Sequence, residues 1–300
     1  MTSSRPAPLN AGLDQRLHTV AYRMLGSLAD AEDAVQDARL RLMERAADRA
    51  GADLSNPDAY LMRTVTNGCI DRLRARQRER TDYAGPWLPE PLVAPEGSEP
   101  EQRWAGGAQL SLAWLHLLER LTPEERALYV LRHGFDYRFA EIAELLGINA
   151  ATARQRHHRA REKLGDELSS VTPAPAQRAL LEALGDRLAA ADAAGVVALL
   201  TDDAVALTDG GGVVSAAIVP VEGPARIAQV GVHLFRKSSA DTGQARVARV
   251  SVNGEPGLCV FEGGKVSTVL TIALRGERCQ RIFAIRNPHK LARVAVAQSG

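Results

Sequence analysis

Residues Tyr137 to Leu164 read YRFAEIAELLGINAATARQRHHRAREKL, and no other stretch restricts the fold as tightly. Its first half puts Phe139, Ile142, Ala143, Leu145 and Leu146 on one face at helical spacing, and Gly147 can close that helix. Asn149 can accept a backbone N–H bond and start a second helix. Two amphipathic helices joined by a short glycine-containing turn predict a helix-turn-helix. The second carries Arg154, Arg156, Arg159, Arg161 and Lys163 against one acid, Glu162. A charge run on a lone helix is usually a solvated face. On the second helix of this motif it belongs to the element that enters a DNA major groove. Ala153, His157, Ala160 and Leu164 form the inward line, and Ala151, Gln155, His158, Arg159 and Glu162 lie largely opposite. Arginine fits guanine O6/N7 and glutamine fits adenine N6/N7, although phosphate contact is the commoner use of any one arginine. His157, on the inner line, reads as a half-buried packing histidine.

The chain has 300 residues, enough for two or three domains. A net charge of only +1 means that the basic character is local, in two helices, rather than a global attraction to nucleic acid. Cys69, Cys259 and Cys279 are scattered without metal spacing, which suits a reducing compartment. No apolar run approaches the ~18 residues of a membrane span, and no signal-peptide pattern opens the chain. A cytoplasmic protein without membrane contact is expected.

Met1–Asn10 is expected to fray. The spacing predicts a helix over Leu13–Leu28, then Asp30 as the cap of a helix over Ala31–Ala47. Val35, Ala38, Leu42 and Met43 would be the core line of the latter, with Glu32, Asp33, Gln36, Asp37 and Arg41 outward. Those acids suit the helix dipole and equally suit a basic docking partner. After a loop over Asp48–Pro57, a third helix runs to about Arg80. Ala59, Leu61, Met62, Val65, Cys69, Ile70 and Leu73 form its buried side, and it ends in the basic stretch DRLRARQRER. A second basic helix is the second footprint expected of a nucleic-acid binder.

Thr81–Gly107 contains Pro86, Pro89, Pro91, Pro95 and Pro100 and reads as a linker with little regular structure. Fully extended, it reaches on the order of 80 Å, about two turns of duplex. Helices over Leu110–Leu121 and Pro123–His133, the second opened by a Thr122/Glu125 capping box, lead into the helix-turn-helix. Gly165–Ala176 reads as a second linker. A helix over Ala176–Leu200 then precedes strand signals at VALT, VVSAAIV, ARVARVSV, LCVF, VSTVLTIAL and RCQRIFAI, interrupted by a helix over Pro224–Lys237. The expected architecture is two all-α domains plus a C-terminal α+β cone with a curved antiparallel sheet. The boundaries are 11–81, a linker over 82–107, 108–168, a short linker over 169–176, and 177–300.

SLADAEDAVQDARLRL followed by NPDAYLMRTVTNGCIDRLRAR resembles the first conserved domain of extracytoplasmic-function sigma factors. LTPEERALYVLRHGFDYRFAEIAELLGINAATARQRHHRAREKL resembles their second. With YAGPWLPEPL and the tail NPHKL, the chain resembles the SigJ-like group, which carries a fused SnoaL-like domain of the cystatin and ketosteroid-isomerase type. The resemblance implies a subunit that binds core RNA polymerase and selects promoter DNA, with sigma regions 2 and 4 as its helical domains. Asp30, Glu32, Asp33, Gln36 and Asp37 match the polymerase-docking helix. Asp53, Ser55, Asn56, Arg63, Asn67, Asp71, Arg72, Arg74 and Arg76 match the elements that melt and read the −10 box. Thr152, Arg154, Gln155, Arg156, His158 and Arg159 match the −35 recognition helix. Asp209, Gly210, Gly211 and Gly212, with Asn287, Pro288, Lys290 and Leu291, match the motifs by which the fused domain contacts the sigma domains or the linker. That domain would modulate activity in place of a separate anti-sigma factor. The chain departs from the family in three places. Val213 replaces the lysine of DGGGK, His289 replaces the acid of NPDKL, and Ala153, Arg156 and His157 replace larger aliphatics.

Two other readings compete. One is a polymerase-independent helix-turn-helix regulator whose cone senses a ligand. The other is a cone enzyme tethered to DNA, with Asp209 and His233 as its acid–base pair. Ketosteroid-isomerase chemistry uses a tyrosine in its oxyanion hole. All five tyrosines lie at or before Tyr137, so the cone has none and no catalytic residue is expected. No cofactor or metal is expected either.

Overall fold

The computed structural model describes residues 11–47, 56–79, 83–96, 98, 104, 111–165, 174–242 and 246–294. The chain divides into two compact units, Met1–Thr81 with Glu101–Gln109 and Leu117–Gly165, and Asp82–Pro100 with Leu110–His116 and Asp166–Gly300. In chain order the helices are α1 (Ala11–Leu25), α2 (Leu28–Ala47), α3 (Pro57–Glu79), α4 (Leu112–Leu117), α5 (Pro123–Phe135), α6 (Phe139–Leu146), α7 (Ala150–Leu164), α8 (Ala174–Ala189), α9 (Ala193–Leu199), α10 (Pro224–Thr242) and α11 (Pro288–Leu291).

In the first unit, α1, α2 and α3 close over Leu17, Val20, Ala21, Met24, Leu25, Leu61, Val65 and Cys69, each fully buried. Two expectations for α2 need correction. The helix starts at Leu28, and the Ser27 hydroxyl accepts the Asp30 N–H at 3.4 Å, so Ser27 rather than Asp30 caps it. Met43 is 47% exposed and is no part of the core line. On α3, Ala59 is likewise exposed.

The caps of the other helical elements match their sequence signals. Thr122 Oγ1 accepts from Glu125 N at 3.3 Å while Glu125 Oε2 accepts from Thr122 N at 2.9 Å. Gly147 ends α6 at φ 64°, and Asn149 Oδ1 accepts from Thr152 N at 2.7 Å to start α7. These bonds satisfy N–H and C=O groups that a helix end leaves without intrahelical partners.

Helices α5–α7 do not stand apart from α1–α3. The Arg23 side chain is fully buried and donates from Nη1 to the Gly134 carbonyl at 3.1 Å, with its guanidinium 5.1 Å from the Phe135 ring. Burial lowers its pKa to about 10, still far above neutrality. Arg126, also buried, donates to the Arg23 carbonyl at 3.3 Å and pairs with Glu119. Trp104 completes this core, its ring 5.5 Å from His18 and 5.8 Å from Tyr22. The helical regions expected to be separate tethered domains therefore share one interior. Two arginines join them, each donating to a carbonyl more than 100 residues away.

The second unit is a seven-stranded sheet of β1 (Val93–Pro95), β2 (Leu200–Asp209), β3 (Val221–Glu222), β4 (Arg246–Val252), β5 (Glu255–Glu262), β6 (Lys265–Arg275) and β7 (Arg278–Ile285). The spatial order is β1-β4-β5-β6-β7-β2-β3. Every pairing is antiparallel except β2 with β7, which is parallel, so the expected all-antiparallel sheet is corrected there. Helices α8, α9 and α10 cover one face through Leu181, Leu184, Val196, Ile227 and Ala228 against Ala204, Ile272, Leu274 and Ile282. The expected single helix before the sheet is broken at Ala191, which takes φ 54°. VVSAAIV is not a strand. Gly211 and Gly212 turn the chain at positive φ, Val213, Ile218 and Val219 stand exposed, and the pairing with β2 begins after this stretch, at Val221–Glu222.

The opposite face of the sheet is filled by the segment expected to be a bare linker. Leu88 through Leu92 are all buried, and Val93–Pro95 pairs with β4 as an edge strand, where proline is tolerated. Asn253 closes the junction, its N–H donating to Leu92 O at 2.7 Å and its Oδ1 accepting from Leu92 N at 3.0 Å. Leu88 and Leu112, each 1% exposed, pack with Leu207, Val250, Phe261, Phe283 and Ile285. Alternating apolar and proline residues are compatible with a packed strand as well as with a free tether, and burial of Leu88 and Leu92 decides for packing.

Candidate nucleic-acid interface

On α3, Arg63, Asn67, Asp71 and Arg74 recur at intervals of three and four and are exposed along one line. Asn56 caps the start of that helix, its Oδ1 accepting from Ala59 N at 3.0 Å. Arg72 and Arg76 turn away from this line. Arg72 Nη2 lies 2.5 Å from Asp37 Oδ2, while Arg76 pairs with Asp30 and donates to the Leu25 carbonyl at 2.7 Å. Two of the basic residues assigned to the −10 element thus tie α3 to α1 and α2. Asp53 and Ser55 lie outside the described residues.

On α7, Arg154, Gln155, His158 and Arg159 are exposed, and Ala153, Ala160 and Leu164 are buried as their spacing requires. Thr152 sits in the first turn, where Asn149 holds its N–H. Arg156 departs from this group. With Asn67, Ile70, Asp71, Arg74, Glu124, Leu146 and Ile148 it lines a half-open cleft of about 410 Å³ between α3 and the helix-turn-helix. Arg74 Nε donates to Glu124 Oε1 at 3.0 Å across that cleft. Although partial burial opposes it, the bond from Arg74 holds the Glu124 carboxyl below the usual carboxylate range. The α3 line and one arginine of the recognition helix therefore face each other.

Lys163 braces α7 from behind, its Nζ 2.6 and 2.8 Å from the two Glu125 carboxylate oxygens. His157, half-buried as expected, meets His133 with Nε2 atoms 2.8 Å apart. Across α2, Asp33, Gln36 and Asp37 are exposed and Glu32 partly so. The same side continues into Leu40 and Met43, exposed by 49% and 47%. The sequence reading missed Leu40 and put Met43 in the core; the available signal was their offset from the Val35–Ala38 line.

In the second unit, Asp209 and Asn287 form a junction. Asp209 is fully buried, with Oδ1 accepting from Tyr83 Oη at 2.6 Å and Gly211 N at 3.1 Å. Its Oδ2 accepts from Leu88 N at 2.8 Å and from Lys290 Nζ at 2.6 Å. The Asp209 carbonyl accepts from Arg286 N and Asn287 N at 2.7 and 2.8 Å. Asn287 donates from Nδ2 to Tyr83 Oη at 3.2 Å, and a Cβ at Gly211 would lie 2.2 Å from that nitrogen. Lys290 lies 4.1 Å from the Trp87 ring centre, and Leu291 is buried under the sheet. Gly210 and Gly212 complete the turn, while Val213, Pro288 and His289 are exposed; His289 joins the junction only through its backbone N–H, which donates to Asn287 Oδ1 at 3.0 Å. The pairing of Asp209 with His233 as acid and base is corrected. Both Asp209 oxygens are occupied, and His233 lies exposed on α10, which covers the other face of the sheet.

Residues 13–79 match the family model of sigma-70 region 2, and residues 111–164 that of sigma-70 region 4. A chain carrying both is a sigma factor. The extracytoplasmic-function sigma factor SigJ of Mycobacterium tuberculosis is 33% identical over 288 residues, covering 93% of this chain and 90% of that protein. Its crystal structure aligns with a TM-score of 0.75 at 30% identity, over 94% of this chain and 96% of that one. SigE of Mycolicibacterium smegmatis is 33% identical over 169 residues, 55% of this chain and 62% of that protein. The chain belongs to the extracytoplasmic-function RNA polymerase sigma factors, with a SnoaL-like domain at its C-terminus.

Proposed function

We propose that this protein binds core RNA polymerase and directs initiation at selected promoters, without a reaction of its own. The carrying observation is the pair of exposed reading lines, Arg63–Asn67–Asp71–Arg74 on α3 and Arg154–Gln155–Arg159 on α7. A cationic helix with polar side chains suits an unstacked strand, and an arginine-bearing recognition helix suits a duplex. The acidic and apolar side of α2, from Asp33 to Met43, is the surface offered to polymerase. This favours the sigma-factor reading over a polymerase-independent regulator, which would leave that side idle. The setting is the cytoplasm, where polymerase works, and no described helix is long and apolar enough to cross a membrane.

Arg74 is held by Glu124 of α5, at the edge of the half-open cleft that the α3 line shares with the helix-turn-helix. Reading a −10 strand through Arg74 requires that bond to be given up. The SnoaL-like domain grips Tyr83–Leu88 through Asp209, Asn287 and Lys290, and so controls the segment that joins the two sigma regions. The fused domain, rather than a separate anti-sigma protein, sets activity in this reading.

Run-off transcription with reconstituted polymerase tests it. The full chain is expected to direct core enzyme to discrete start sites, and Lys290→Ala to change the yield at those sites. Start-site selection no better than core enzyme alone would remove the function. An unchanged yield with Lys290→Ala would remove only the regulatory role.

A further inference from the structure

The recognition helix rests on a column of rings. Tyr129 on α5 stacks on His133 at 4.2 Å, and His133 stacks on His157 of α7 at 5.0 Å and an interplanar angle of 17°. The 2.8 Å between their Nε2 atoms means that one ring donates and the other accepts. Phe139, the first residue of α6, closes the column edge-on to His157 at 5.3 Å and 72°. That ring carries two guanidiniums as well, Arg132 at 5.4 Å and Arg154 at 5.9 Å from its centre.

The two arginines differ. Arg132 donates from Nη1 to the Tyr137 carbonyl at 3.2 Å and so has a fixed partner. Arg154 makes no hydrogen bond or ion pair with a described residue and is exposed, yet it sits against an aromatic face. Planar guanidinium stacking restricts an otherwise mobile chain and leaves the donor fork pointing outward. Two cations at one ring also repel each other, and a polyanion alongside relieves that repulsion.

We propose that Phe139 is a specificity-determining positioning residue, whose ring presents Arg154 to a base edge of the −35 duplex. This rests on the reading of α7 as the −35 helix. Phe139 itself touches no base. It removes rotamers in which the Arg154 fork cannot meet the paired acceptors of a guanine.

The test uses the full chain assembled with core polymerase and a duplex that the wild type selects from a randomised pool. Phe139→Leu and Arg154→Ala are each expected to lose about tenfold in preference for that duplex over one changed at a single base pair, at the same base pair. The double variant is expected to lose no more than either, and Phe139→Tyr to keep the preference. Losses that add in the double variant, or a Phe139→Leu loss shared equally by all duplexes, overturn the inference. Should Phe139→Leu unfold the helix-turn-helix, Phe139→Met keeps volume without an aromatic face and is expected to give the same loss. A wild type that selects no sequence removes the −35 reading and this inference together. A wild type and a Phe139→Leu variant that discriminate equally remove this inference alone.

Discussion

Lys290 Nζ lies 2.6 Å from Asp209 Oδ2, and the two side chains are 12% and 0% exposed. A buried pair is a weak source of net stability, because both charges give up water to form it. Removing one partner is costly for the opposite reason: the other charge is left without either water or its counter-ion. The two partners are not equivalent here. Without Lys290, Asp209 still accepts from Tyr83, Leu88 and Gly211. Without Asp209, the Tyr83, Leu88 and Gly211 donors lose the acceptor they share, and Lys290 keeps the Leu88 carbonyl but loses its counter-ion. Asp209→Ala should therefore destabilise the second unit by about 3–5 kcal/mol, and Lys290→Met by clearly less. Urea unfolding of the full chain measures both, and equal losses would show that the junction is not centred on Asp209.

A second buried cation joins the two helical regions of the first unit. A Cβ at Gly134 would lie 2.1 Å from Arg23 Nη1, inside any permitted contact. Gly134→Ala should push that guanidinium away from the Gly134 carbonyl and loosen α5 from α1. The expected loss is about 1.5–3 kcal/mol, the worth of a hydrogen bond to a charged group. Thermal unfolding should show a lower Tm, accompanied by faster amide exchange in α5. An unchanged Tm would mean that Arg23 relaxes without cost and is not the joint.

Charge reversal at Asp33 and Asp37 should abolish association with core polymerase and leave duplex binding by α7 intact. Asp33 is exposed, and Asp37 has one partner, Arg72, on the neighbouring helix. A complementary test is Leu40→Ser with Met43→Ser, which should weaken polymerase association without lowering Tm, since both side chains stand in water. Polymerase affinity unchanged by either set would remove the α2 docking surface.

The His133–His157 contact predicts a pH dependence. Burial, with the neighbouring His157 and the guanidiniums of Arg132 and Arg161, lowers the His133 pKa to about 4 from an ordinary 6.5, and Asp136 only partly opposes this. Burial and Arg161, with Arg132 and His158, lower His157 as well. Between about 6.5 and about 4 the unfolded chain binds protons that the folded chain refuses. Stability from this contact is therefore complete above about 6.5, falls as pH falls, and is lost below about 4. Ring resonances followed by NMR should show the His133 imidazole neutral at pH 5.5. Titration near 6.5 would mean that the stack does not form in solution.

Much of the helical half was legible in the sequence because its signals are local. Thr122 with Glu125, Gly147, and Asn149 with Thr152 act over three or four residues, and each does in the structure what its type and position require. The exposed side of α7 followed from spacing for the same reason, whereas the α3 residues were named through the family resemblance. The second unit was legible as α+β, with several strands correctly placed.

Tertiary structure decided what depends on partners distant in sequence. Arg72 and Arg76 look like Arg74 in the sequence, yet acids on α2 claim the first two and Glu124 the third. The segment Tyr83–Pro95 reads as a tether because prolines set its local conformation. It packs because Asp209, Asn253 and Lys290, more than 120 residues further on, take its backbone hydrogen bonds. Local spacing specifies which face a side chain occupies. Only the folded chain specifies what lies across from that face, because a buried charge or N–H group is stabilised by whatever partner the packing brings to it.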